Sequence, residues 1–171
     1  YLYWPQVQER FPFLQSEQAK VSLSQKDDLS PKEDQARVSE AIALKDVRQY
    51  MVDNENLGHI LVIEGTAVNT SPAPKGRVEV QATLFDASGK PVQEKKVLCG
   101  NTASLYQLQV LDQEALDRVL TSEAGVMANN SHLSPEQDVA FMAVFPEFPE
   151  DVSEFGLTVV QALEVDTESD A

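Results

Sequence analysis

The amino-acid sequence predicts a mainly β domain of two packed antiparallel sheets, about seven short strands in all, with one short additional helix. Three observations carry that prediction. Apolar and polar residues alternate with period two in several runs, clusters of turn residues separate the runs, and a single later segment repeats at helical spacing. Seven short strands of this kind suggest two packed antiparallel sheets.

The elements follow in chain order. Tyr1-Leu2-Tyr3-Trp4-Pro5 is dense in amphipathic aromatics, which suit either the edge of a membrane or an arm packed on the domain. Ser16 to Gln35 is rich in Ser, Gln, Lys, Asp and Glu and reads as a linker, within which Ser30-Pro31-Lys32-Glu33 starts a brief helix. Residues 1–39 are therefore a membrane-proximal arm and linker, residues 40–165 the β domain and residues 166–171 an acidic tail, with fraying expected from Glu164 onward.

The first β run, from about Ile42 to Val52, is the least regular. Ile60 to Ile63 is apolar on both faces, which predicts a central strand covered from both sides, and Gly65 marks a bulge as that strand continues to Val68. Arg77 to Phe85 is the clearest strand: Val78, Val80, Ala82 and Leu84 share one face, Glu79, Gln81 and Thr83 the other. Asp86 to Pro91 forms a turn with Gly89 at positive φ, and Val92 to Leu98 completes a hairpin.

Tyr106, Leu108 and Val110 alternate with Gln107 and Gln109, predicting another strand. The helix comes next, with Asp112 as N-cap and Ala115, Leu116, Val119 and Leu120 on one face, ending before Gly125 and covering one end of the sandwich. Asn129 to Pro135 is a loop by its turn chemistry. Phe141, Ala143 and Phe145 alternate with Met142 and Val144, and Leu157, Val159, Gln161 and Leu163 with Thr158, Val160 and Ala162, predicting two further strands.

Composition bounds the function. With 171 residues and 42% apolar content the chain can build a core without disulfides or a structural metal. A formal net charge of -15 repels other polyanions, so nucleic acid is not an expected partner. Cys99 has no second cysteine to pair with. No run reaches the roughly 20 apolar residues that span a bilayer, and the start at Tyr1 rather than methionine fits a fragment whose upstream part was removed.

Candidate chemistry is sparse. The glycines stand at 58, 65, 76, 89, 100, 125 and 156, too scattered for a phosphate-cradling loop or a nucleophile elbow. His59 and His132 form no spacing pair with each other or with Cys99, and His59 reads as an edge or core histidine. Asp53 to Gly58 with Glu64 imitates a calcium loop, but Leu57 offers no side-chain oxygen and Ile60 to Ile63 is a strand, so a connector between strands is expected. Glu64, among apolar neighbours, needs a partner or a raised pKa. Cys99 reads as a buried small hydrophobe, and the acceptor tripeptides at Asn69 and Asn129 match only formally.

The runs Leu57 to Asn69, Leu84 to Gly89 and Leu98 to Thr102, with Phe141 to Phe145 and Val159-Val160, resemble a family of uncharacterised bacterial domains. These lie C-terminal to a zinc-ribbon, finger-like segment and a single transmembrane helix. The resemblance covers roughly Ile42 to Val165 and implies an immunoglobulin-like sandwich on the periplasmic side of the inner membrane, tethered through an upstream helix; the chain itself lacks the family's zinc-ligand cysteines and that helix. It brings no activity, so no catalytic, cofactor-binding or metal-binding residue is assigned and no cofactor is expected.

The function expected is that of a non-catalytic extracytoplasmic interaction or structural module with a protein partner, not an enzyme. The alternative is a small-ligand or divalent-ion site at the loop end, drawn from Asp53, Glu55, His132, Glu136 and Asp138.

Overall fold

A computed structural model describes residues 31–166. The elements run α1 (Pro31–Ala41), β1 (Ile42–Asn54), β2 (Gly58–Asn69), β3 (Lys75–Asp86), β4 (Pro91–Leu98), α2 (Leu105–Val110), α3 (Gln113–Leu120), α4 (Glu123–Asn129), β5 (Asp138–Phe145) and β6 (Val152–Glu164). The chain is mainly β, with six antiparallel strands among the described residues in two sheets of three, ordered β1-β2-β5 and β4-β3-β6. Tyr1 to Pro5 and the Ser30 cap lie outside the described residues. α1 begins inside the expected linker and, at 11 residues, is longer than the brief helix anticipated there.

Period-two burial places the core. Val78, Val80, Ala82 and Leu84 of β3 join Leu61, Ile63, Phe141, Ala143 and Phe145 of the other sheet in one apolar cluster. Each such side chain removed from water contributes roughly 1.5–3 kcal/mol, which is why the alternating face fixes the register. The β1-β2-β5 sheet has a second buried face: Val52, Ile60, Val62, Met142 and Val144 pack against Ala103, Leu108, Leu116 and Leu120. The molecule thus has three layers, and β2 is covered on both sides as its continuous apolar run predicts.

Two expectations are corrected by that third layer. Tyr106 to Val110 is not a strand but lies in α2, so the described strands number six, not seven. Ser104 accepts a hydrogen bond from the Gln107 backbone N–H while the Gln107 side chain accepts from the Ser104 N–H, a reciprocal cap that commits the segment to helix. Helical structure also extends past the expected stop. Gly125 lies within α4, where a Cβ would sit 1.9 Å from Asn101 Oδ1, so its missing side chain allows a close approach between α4 and the loop after β4. These helices cover the outer face of one sheet, not the end of the sandwich.

Buried amides stitch the irregular segments to the sheets. Asn130 accepts from the Val78 N–H and donates to the Val78 and Cys99 carbonyls. Asn69 donates to the Ala73 and Leu133 carbonyls and accepts from Ser71, and Asn54 donates to the Leu108 and Leu111 carbonyls at the end of α2. Buried donors and acceptors left unpaired would cost about 1–3 kcal/mol each, so side chains here replace the ladder where it is absent. Glu164, expected to start a fraying tail, ends β6 and pairs with the buried Lys75 at 3.1 Å.

The two flanks are closed differently. β4 and β5 lie together on one side. There Lys95, whose partner across the ladder is the core residue Ala82, donates to the Val144 carbonyl at 2.8 Å. Burial lowers the pKa of this ammonium, with Asp117 opposing the shift. The Gly100 N–H adds a bond to the Ala140 carbonyl, so the β5 edge is occupied. On the other side α1 packs against β6 and the start of β1, adding Val38 and Ala41 to the inter-sheet core.

Candidate functional site

The irregularity of β1 has a structural cause. Lys45 pairs with Thr66 and Arg48 with Glu64, leaving Asp46 and Val47 opposite Gly65 alone. This is a β-bulge, with Asp46 at φ 52, a left-handed conformation that costs a non-glycine residue of order 1 kcal/mol or more. Gly65 faces the bulge from the partner strand: a Cβ there would stand 3.1 Å from the Lys45 carbonyl oxygen and 2.8 Å from the Phe141 ring. The glycine marks a bulge as expected, but the extra residue is on β1.

The bulge opens a cleft of about 530 Å³ on the part of the sheet's outer face that the helices do not cover. Asp46, Val47 and Arg48 form one wall, Thr102 and Ala103 the other, and Glu64, Thr66, Ala140 and Met142 contribute to the floor. Across its head runs the register row Arg48, Glu64, Met142. Glu64 accepts from the Tyr50 hydroxyl at 2.8 Å and pairs with the Arg48 guanidinium at 2.6 Å, which supplies the partners its apolar setting demands. Its side chain is 17% exposed, whereas that of Arg48 is 74% exposed and has further N–H donors free to face solvent. Burial, then the bond and charge of Glu64, push the Tyr50 hydroxyl up to about 12.

Next to the cleft the outer margin of β1 is open. Alternate backbone groups of an edge strand point away from its neighbour. Beyond the ladder with β2, no backbone group from Arg48 to Val52 makes a hydrogen bond among the described residues. Val47, just before this stretch, and Met51, within it, are 39% and 50% exposed.

The residues singled out from sequence are dispersed. Asp53 and Glu55 belong to the β1–β2 hairpin, where Asn54 Oδ1 accepts from the Asn56 and Leu57 N–H groups and Gly58 takes φ 74. This is the expected connector, and His59, at the start of the central strand β2, is exposed and contacts Asp53. His132, Glu136 and Asp138 lie at the other end of the sheet, where Asp138 is level with Val68. The rise along β2 from His59 to Val68 is about 30 Å, so the two sets do not converge on one ion. No group of three or more possible ligands occurs among the described residues.

Cys99 is buried, and burial pushes its thiol up to about 12, which suppresses the thiolate. Asn69, first residue of a glycan acceptor tripeptide, is buried with both ends of its amide bonded. Tyr50 and Arg48 were not singled out from sequence. The available signal was the broken alternation around Lys45 to Arg48, where the charged residues Lys45, Asp46 and Arg48 surround Val47.

These features define a class: a helix-backed, two-sheet antiparallel β domain with one open strand margin beside a polar cleft. The chain belongs to the family described as "Protein of unknown function (DUF3426)", whose model matches residues 42–159. No curated protein matches it. One solved structure, the X-ray structure of Northeast Structural Genomics Consortium target SoR45, resembles it at 10% identity with a TM-score of 0.36, over 78% of this chain and 92% of that one. No helix among the described residues is long and apolar enough to cross a membrane.

Proposed function

We propose that the chain is a non-catalytic interaction or structural module of a membrane-anchored bacterial protein, facing the periplasm. The observation that carries the reading is that the groups best suited to chemistry are committed to the fold, while an uncommitted surface lies along β1. Glu64 is held by Tyr50 and Arg48, the Cys99 thiol is buried, and the buried asparagines are bonded to backbone. The periplasmic, membrane-anchored setting is suggested by the resemblance to domains that follow a zinc ribbon and a membrane helix.

An immunoglobulin-like arrangement is part of this proposal. It is supported by the exchange of strands between sheets, with β2 beside β5 and β3 beside β6, as the B–E and C–F pairs of such domains stand. The helices α2 to α4 occupy the part of the chain between the fourth and fifth strands.

In-cell photocrosslinking in the full-length protein tests the reading. A photoreactive residue is placed in turn at Met51 on β1, Glu94 on β4 and Glu114 on α3. Adducts to a defined periplasmic or membrane protein from at least one position are expected. Absence of adducts from every position, or a protease-protected cytoplasmic location in spheroplasts, contradicts it.

A further inference from the structure

Four strand edges bound the two sheets, and three are obstructed. β5 is bonded by Gly100 and Lys95. β4 is short and carries an inward lysine together with exposed Glu94 and Lys96, devices that disfavour edge pairing. β6 is flanked by α1, and its register with β3 shifts at three places. Along β1 the unbonded backbone groups from Arg48 to Val52 lie beside the exposed apolar side chains of Val47 and Met51; β6 also exposes an apolar side chain, Leu163, but α1 packs along that strand.

Charge selects what fits there. Asp46, Asp53 and Glu55 are exposed along β1 and its turn, against Lys45 and an Arg48 already paired with Glu64. A second copy of the chain would bring its own formal charge of -15 to this margin. Long-range repulsion therefore opposes self-association, and the same field draws a cationic chain.

We infer that the margin of β1 from Arg48 to Val52 receives an extended, basic segment of a partner protein as an added strand. Backbone hydrogen bonds give the attachment, and apolar side chains of the segment meet Val47 and Met51. This rests on the reading of the chain as an interaction module. The bulge at Asp46 and Val47 ends the pairing on one side and the hairpin at Glu55 on the other, so the added strand is short.

The probe is a short peptide alternating lysine and valine, compared with a glutamate–valine peptide of equal length and with the same lysine peptide interrupted by proline. Amide hydrogen exchange and chemical shifts are followed in the folded protein. The lysine–valine peptide is expected to slow exchange at alternate amides between Arg48 and Val52, and the other two are not. Met51→Lys is expected to weaken binding about tenfold or more, and Met127→Lys, on α4, to leave it unchanged.

Protection at the β6 edge, equal binding by the glutamate peptide, or unchanged β1 amides overturns the inference. The protection pattern in the unsubstituted protein decides the matter even if Met51→Lys unfolds the chain. A partner crosslinked in cells through Glu94 or Glu114 while Met51 stays silent also overturns it, yet leaves the reading as an interaction module standing.

Discussion

Asn130 illustrates how one buried side chain can tie the end of a helix to a hairpin, that of β3 and β4, with which it shares no ladder. Its amide meets Val78 and Cys99, while its own carbonyl accepts from the Arg77 N–H at 2.6 Å. Asn130→Ala leaves the Val78 N–H and the Cys99 carbonyl without that partner. We expect a loss of about 3 kcal/mol in urea unfolding, against less than about 1 kcal/mol for Asn129→Ala, whose exposed amide makes one bond. Equal effects would remove the structural role assigned to the buried amide.

The buried Cys99 and the half-buried Tyr50 weaken the fold at alkaline pH. Tyr50 moves from 10.0 to about 12 and Cys99 from 9.0 to about 12. Both are neutral in the fold where the unfolded chain has already lost the proton, so the unfolded state binds fewer protons in this window. Their contribution is fully present below pH 9 and is lost as pH rises from about 9 to 12. Denaturant midpoints measured from neutral to pH 11 should stay level and then fall, with a shallower fall in Cys99→Ala. A rise above pH 9 would contradict the upward shift of both groups.

At the level of elements, the strands were the most legible part of the sequence. The Val78 to Leu84 face is buried as its alternation predicts, and the double-faced run Ile60 to Ile63 lies between two layers. α2 was misread because Tyr106, Leu108 and Val110 alternate with glutamines at period two over a segment only 6 residues long. At that length the two periods cannot be told apart by apolar positions, and the Ser104–Gln107 cap was the better guide. The bulge was legible through Gly65 and the broken alternation of β1, but that its extra residue lies on β1 was not, because the residue pairing that places it is non-local. The cleft escaped for the same reason: its walls come from β1 and from the loop before α2, far apart in the chain.

The cap makes its own prediction. Ser104→Ala should cost about 1 kcal/mol and speed amide exchange through α2. Because Asn54 donates to the Leu108 and Leu111 carbonyls, the loosening should reach the β1–β2 hairpin. Faster exchange confined to β3 and β4 would show that α2 is not held in this way.

Over the whole molecule, three layers share one sheet, and that sheet has a core on each face. Among the described residues, the closed flank at Lys95 and the helix at the opposite flank leave the β1 margin from Arg48 to Val52 without a backbone partner. Rigidity and openness are therefore adjacent on β1: one set of groups is locked to β2, the other faces water.

Native-state hydrogen exchange of the unliganded protein tests this arrangement most directly. The account predicts slow amides throughout β2 and the centre of β3, with slow and fast amides alternating along β1 from Arg48 to Val52. Uniformly slow exchange along that stretch, or fast exchange across β2, would contradict it.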